Sequence, residues 1–132
     1  MFNDGITDVH DDPGVSNPTL INTVFIGNSA GDGGGLYNDG RSGESDPTLV
    51  NVVFRNNHAD RYGGGMFNNG RFGSSSPSLT NVAFVANHAM PGGGMYDDGI
   101  GIGSETRAWM VNVTFAYNEA AGVGGGMYER VN

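Results

Sequence analysis

The chain repeats one pattern of apolar and polar positions four times, at intervals of about thirty residues. A Phe stands at the centre of each unit, with one Asn three residues before it and another three residues after it. An Ala, a triple Gly, a large apolar residue and an aromatic residue follow in the same order each time. The central residues are Phe25, Phe54, Phe84 and Phe115, which lie 29, 30 and 31 positions apart. Self-similarity at such a period predicts a fold in which successive units stack on one another.

Short runs of Val, Thr, Phe and Leu within each unit favour β-strands, and the frequent Gly excludes pairs of helices. In the second unit we predict three strands: one that ends at Asn51, one over 52–54 and one over 64–67. The Asn residues are expected at bends, because Asn tolerates a left-handed backbone, and their stacked amides can bond along the axis. The sequence therefore predicts an all-β fold, a right-handed parallel β-helix (solenoid) of about four turns with three short strands per turn.

Composition agrees with one non-helical domain over residues 1–132. Gly accounts for 24 of the 132 residues, and the absence of Cys means that disulfides cannot hold the fold together. The net charge of −8 argues against nucleic acid and against an anionic membrane surface as partners. No apolar run approaches the length of a membrane span or reads as a signal peptide. Because Met1 stands in the middle of a unit, we expect the domain to be excised from a larger protein.

Side chains alternate along a strand, so the apolar residue and the aromatic residue after each triple Gly should face opposite ways. We expect an interior of Leu36, Met66, Met95 and Met127, with Leu20, Leu49, Leu79, Met110 and the four central Phe residues. The outward column is then Phe2, Tyr37, Phe67, Tyr96 and Tyr128. With turns about 4.8 Å apart this column would span about 19 Å and form an aromatic strip that sugar rings could stack on. The alternative is that the rings only stabilise the sheet or lie half-buried at a corner.

Polar residues directly after these rings could bind sugar hydroxyls. They are Asn38, Asp39, Asn68, Asn69, Asp97 and Asp98. Trp109 takes the place of Thr19, Thr48 and Ser78 in the other units and should face solvent on another sheet. The predicted ligand-binding set therefore consists of the five rings, these six polar residues and Trp109.

The best metal candidate is the acidic loop that holds Asp4, Asp8, Asp11 and Asp12, since Ca²⁺ prefers carboxylate and carbonyl oxygens. A solvated acidic loop is the simpler alternative, and the fold itself requires no cofactor. His58 and His88 should stack in adjacent turns, but no Ser or Cys nucleophile recurs beside them, so we expect bend residues. Four turns also leave little room for the long loops that build a catalytic cleft. We therefore expect no enzymatic activity.

The motif Phe-x-x-Asn followed by Gly-Gly-x-large-apolar resembles the repeats of polymorphic outer-membrane and autotransporter passenger β-helices. More broadly it is similar to the pectin-lyase-like β-helix superfamily, which includes carbohydrate-binding modules attached to gut-bacterial xylanases. This resemblance implies the fold strongly and the function weakly, because such solenoids host lyases, adhesins and binding modules alike.

The resemblance and the aromatic strip together predict a non-catalytic carbohydrate-binding module for a plant-type polysaccharide such as xylan. The first alternative is a structural, adhesin-type passenger repeat, and the second is a fragment of a polysaccharide lyase or hydrolase. In each case the resemblance implies an extracellular or cell-surface location. Expected partners are a polysaccharide, a neighbouring catalytic domain or a second copy bound end to end, with no nucleic acid and no membrane insertion.

Overall fold

The computed structural model describes residues 1–6 and 13–131, which form a parallel β-solenoid. Its strands are β1 (Phe2–Asp4), β2 (Thr19–Ile21), β3 (Val24–Ile26), β4 (Ser29–Asp32), β5 (Leu36–Asp39), β6 (Thr48–Arg55), β7 (His58–Tyr62), β8 (Met66–Asn69), β9 (Ser78–Val85), β10 (His88–Ala89), β11 (Met95–Gly99), β12 (Trp109–Ala116), β13 (Glu119–Ala120) and β14 (Met127–Val131). No helix long and apolar enough to cross a membrane occurs in this part of the chain.

Three parallel sheets run along the solenoid, and each turn contributes to all three. The first sheet has the order β1-β5-β8-β11-β14, the second the order β12-β9-β6-β2 with β3 also on β6, and the third the order β13-β10-β7-β4. Equivalent residues of successive units are direct partners; Phe54, for example, pairs with Phe84. The predicted parallel β-helix of about four turns is confirmed.

The strand boundaries differ from the prediction in two places. The two strands expected on either side of Asn51 form the single strand β6, because ladder pairing resumes directly after Asn51, whose φ is 55°. His58 and His88 begin strands β7 and β10 and are therefore not bend residues. Strand β7 was not predicted, because the residues that follow His58 are mostly polar. Only one face of this strand is buried.

The central Phe residues fill the interior as a continuous stack. The rings of Phe25, Phe54, Phe84 and Phe115 follow one another at centroid distances of 4.8–4.9 Å and are within 5° of parallel. Leu49 and Leu79 are fully buried beside this stack, as the alternation predicted. The inner turns therefore bury the same apolar set against the turn above and the turn below, which makes nearest-neighbour contacts the main source of stability. Met110, predicted to lie in the interior, is 40% exposed because its strand β12 is at the edge of the second sheet.

Two columns of Asn secure the bends, as expected. The exposed column Asn22, Asn51, Asn81 and Asn112 has φ values of 52–55° and forms a side-chain amide ladder. The inner column satisfies backbone groups as well. The backbone N–H and Nδ2 of Asn57 both donate to Oδ1 of Asn87 at 3.0 Å, and Nδ2 also donates to the carbonyl oxygen of Phe25. These amides replace water at bends where the buried backbone lacks a sheet partner.

Candidate functional site

The aromatic column of the first sheet exists with the predicted register. Phe2, Tyr37, Phe67, Tyr96 and Tyr128 are successive partners across five strands. Neighbouring ring centroids lie 4.9–5.4 Å apart. Because the units stack in register, the aromatic residues at equivalent positions of the repeat form a continuous line of rings.

The expectation that this column is accessible is wrong at its centre. Phe67 is only 3% exposed and Tyr96 only 1%, and Tyr37 is half-buried. Phe2, in the edge strand β1, is 57% exposed. Rings sealed in this way cannot offer their faces to a sugar, so the middle of the predicted platform is part of the protein interior.

Neighbouring chain segments cover the rings. Tyr62 lies on the column, with its ring centroid 4.9 Å from that of Tyr96 and 5.6 Å from that of Phe67. The first Gly of each triple adopts a left-handed backbone, with φ values of 58–68°, and doubles back against the ring that follows. At Gly92 an added Cβ would lie 2.7 Å from Cβ of Tyr96, which is too close for any side chain. These glycines therefore allow the backbone to close over the ring column.

The six polar residues after the rings are also buried, and they divide between two faces. Asn38, Asn68 and Asp97 point into the solenoid and continue a side-chain ladder that starts at Asn3. Nδ2 of Asn38 donates to Oδ1 of Asn68 at 2.7 Å, and Nδ2 of Asn68 donates to Oδ1 of Asp97 at 2.7 Å. A polar ladder thus runs through the core, where its amides satisfy one another and are not available to a ligand.

The other three, Asp39, Asn69 and Asp98, lie on the ring side of the sheet and have partners there. Asp39 accepts two hydrogen bonds from the Arg41 guanidinium, with Nη2 to Oδ2 at 2.7 Å. Asp98 accepts similar bonds from Arg130, with Nη2 to Oδ2 at 2.6 Å.

Nδ2 of Asn69 donates to the Tyr37 hydroxyl at 3.0 Å. Asp4 and Asp39 are partners across adjacent turns, as expected for a carboxylate column. The guanidinium groups of Arg41 and Arg130 offset the charge of the buried carboxylates in this column.

Asp97 ends the inner ladder with an unmatched oxygen. Its Oδ2 is buried and has no hydrogen bond within the described residues. The pKa of Asp97 is raised from 3.8 to about 7, mainly by burial and to a smaller extent by the charge of Glu129, its partner in the next turn. The hydrogen bond from Asn68 and, more weakly, the backbone N–H of Ala108 act in the opposite direction. The carboxyl group therefore retains its proton far more readily than an ordinary Asp.

Trp109 faces solvent, as predicted, and is 72% exposed. It lies in β12 opposite Ser78, on the second sheet and away from the aromatic column. Tyr117 is 89% exposed and Phe72 63%, each in a turn with a left-handed backbone. With Phe2, they are the largely exposed aromatic rings among residues 1–6 and 13–131.

The predicted Ca²⁺ loop falls largely outside the described residues, since Asp8, Asp11 and Asp12 lie there. Asp4 is described and exposed, and its Oδ1 accepts the backbone N–H of Ile6 at 2.9 Å. Among residues 1–6 and 13–131 no group of three or more His, Cys, Asp and Glu side chains is placed to hold a metal ion. Calcium binding at this loop stays a prediction.

Some residues that pack against the two faces of the first sheet were not predicted from the sequence. Ser45 and Ser75 are buried beside the inner ladder, and Oγ of Ser45 accepts from Nδ2 of Asn3 at 2.8 Å. The signal was present, because Ser45 and Ser75 precede Leu49 and Leu79 by the same four positions. Arg130 could be found in the same way from its register with Asp98.

One family model matches part of the chain. The repeat of Chlamydia polymorphic membrane proteins matches residues 22–39, which include Phe25, Asn28, a triple Gly and Tyr37. This stretch corresponds to one of the four units. No curated protein and no solved structure matches the chain. The similarity therefore agrees with the first alternative, a structural, adhesin-type passenger repeat, better than with the predicted carbohydrate-binding module, and nothing in these comparisons points to xylan.

Proposed function

We propose that this chain is a structural segment of a surface-exposed, adhesin-type solenoid, with no small-molecule ligand and no catalytic activity of its own. One observation carries the proposal: the residues that would form a glycan platform are used inside the fold. Phe67 and Tyr96 are sealed in a ring stack, and Asn38, Asn68 and Asp97 form a ladder in the core.

Similarity to the polymorphic-membrane-protein repeat supports the same proposal. The matched positions 22–39 include residues that stack from turn to turn, and equivalent residues recur in the three other units. The recurring residues are therefore the ones whose contacts hold successive turns of the solenoid together. The name of that family also makes the outer membrane or cell surface the proposed location.

The outward positions of the second sheet vary more in size and polarity from turn to turn than its inward column of Leu20, Leu49, Leu79 and Met110. The column Thr19, Thr48, Ser78 and Trp109 faces outward, while Leu49 and Leu79 occupy the same buried position. A scaffold needs only its interior to be regular. A linear glycan that lies along the axis needs a regular surface instead, and the outward column Thr19, Thr48, Ser78 and Trp109 is irregular.

Affinity electrophoresis against a panel of polysaccharides that includes xylan tests the proposal. We expect no retardation of the wild-type chain, and a xylan-binding module in the same gel serves as positive control. Retardation by any glycan would overturn the structural assignment. Trp109→Ala and Tyr96→Ala variants would then show whether the glycan binds at the exposed Trp or at the ring column. Assays for released reducing sugar or unsaturated product on the same panel should also be negative.

A further inference from the structure

A pair of histidines faces outward from the third sheet, on the strands β7 and β10. His58 and His88 are direct partners in adjacent turns. Their ring centroids lie 5.0 Å apart with an interplanar angle of 14°, whereas their Nδ1 atoms are only 3.1 Å apart. The two rings therefore lean together at their Nδ1 edges.

This separation suits two ligands of one metal ion. Zn²⁺ binds imidazole nitrogen at about 2.0–2.1 Å, so two nitrogens on one ion lie about 3 Å apart. Imidazole is a preferred ligand of Zn²⁺, Ni²⁺ and Cu²⁺, and neutral imidazole binds through its unprotonated nitrogen. Without a metal, the 3.1 Å contact is a hydrogen bond in which one Nδ1 donates and the other accepts.

Asp60 prepares His58 for this role. Its Oδ1 lies 3.3 Å from Nε2 of His58, and a carboxylate beside this nitrogen favours the tautomer in which Nε2 carries the proton and Nδ1 the lone pair. The His58 side chain is 46% exposed, and a metal ion can therefore reach it from solvent. Such a carboxylate–imidazole contact holds the ring in position and makes the nitrogen a better ligand.

The surrounding charge favours a cation. Glu119 follows His88 in the next turn, directly in register with it. The nearby cation Arg61 is paired with Asp32, with Nη2 to Oδ2 at 2.5 Å, so its charge is largely balanced. The chain as a whole carries a net charge of −8.

We propose that His58 and His88 bind one divalent transition-metal ion of the Zn²⁺, Ni²⁺ or Cu²⁺ class through their Nδ1 atoms. Water completes the coordination, since no third protein ligand among the described residues is grouped with the pair. The ring that donates through Nδ1 changes tautomer as the ion binds: Nδ1 gives its proton to solvent and Nε2 takes one up, so both imidazoles stay neutral. The ion would add a side-chain link between two turns of the solenoid that backbone hydrogen bonds, such as that from His88 N–H to the Asn57 carbonyl oxygen, already join.

Isothermal titration of tag-free protein with NiCl₂ tests the site. We expect one ion per chain, and a Kd that weakens by about tenfold or more in His58→Ala and in His88→Ala. His10→Ala is the matched control, because it removes the remaining histidine of the chain and should leave the Kd unchanged. Excess NiCl₂ should also raise the melting temperature of the wild type and not that of the two variants. No binding by the wild type, a wild-type Kd in either His58→Ala or His88→Ala, or loss of binding in His10→Ala would overturn the proposal.

A second measurement on the wild type does not depend on how the variants fold. Titration with ZnCl₂ should shift the Nδ1 resonances of two histidines together in ¹⁵N NMR spectra. Shifts confined to one histidine, or to Nε2, would contradict chelation by the pair.

Discussion

Replacement of Phe84 by Ala is expected to lower the free energy of unfolding by about 3–5 kcal/mol, the usual cost of deleting a buried aromatic ring. Phe84 is fully buried, and its ring stacks at 4.8 Å on both Phe54 and Phe115. Its loss leaves a cavity between two turns and interrupts the stack in the middle. Since whole domains are stable by about 5–15 kcal/mol, the variant should be close to unfolding at room temperature. Urea unfolding followed by circular dichroism measures the change.

Phe72→Ala is the control for this experiment, because the Phe72 ring is largely exposed in a turn. Its free energy of unfolding should stay within about 0.5 kcal/mol of the wild type. Equal effects of the two substitutions would mean that the Phe column does not form the core.

Replacement of Asp97 by Asn is expected to stabilise the chain at pH 8, by up to about 4 kcal/mol if the whole pKa shift acts on stability. The shift is from 3.8 to about 7 and is caused mainly by burial. The ionised carboxylate is therefore unfavourable in the folded state, whereas an Asn keeps the hydrogen bond from Asn68 without the charge. Its amide N–H can also face the Glu129 carboxylate in the next turn.

The pH dependence of the free energy of unfolding explains why Asp97→Asn should stabilise the chain at pH 8. Because the folded pKa lies above the unfolded one, the folded state binds the extra proton, and stability falls as pH rises between about 4 and 7. Above pH 7 the contribution of Asp97 is lost and should stay level. Urea unfolding at pH 5 and pH 8 should therefore show a decline in the wild type that is much smaller in Asp97→Asn.

Asp98→Asn is the matched control, since it removes the same charge from the adjacent residue. Asp98 accepts hydrogen bonds from Arg130, so its replacement weakens an ion pair and should not stabilise the chain. If both variants gained stability, the cause would be the change in net charge and not the burial of Asp97.

Stacking of the units was predictable because the repeat fixes it. Equal spacing of Phe25, Phe54 and Phe84 implies vertical columns, and the alternation beside them implies which residues face inward. The same rule places Asn68 inward, two positions after Met66. The sequence nevertheless favoured an exposed position for Asn68, because Asn and Asp beside glycines are usually solvated. In the structure these side chains satisfy one another in a ladder instead.

Burial of the aromatic column could not be read from strand periodicity. Alternation assigns Phe67 and Tyr96 to the side opposite Met66 and Met95, and it says nothing about what covers that side. The cover comes from Tyr62, an irregularly placed ring, and from glycines whose left-handed backbone reverses the chain onto the sheet. Such coverage depends on tertiary contacts, which is why a column of aromatics by itself did not distinguish a binding strip from an internal stack.

The free energy of unfolding of Tyr96→Ala, set against that of Tyr117→Ala, tests most directly whether the aromatic column supports the solenoid. Tyr96 is 1% exposed within the ring stack, and Tyr117 is 89% exposed outside it. We expect a loss of about 3 kcal/mol for Tyr96→Ala and a change within about 0.5 kcal/mol for Tyr117→Ala. Equal, small effects of the two substitutions would contradict burial of the column. They would mean that the Tyr96 ring is exposed and able to bind a ligand.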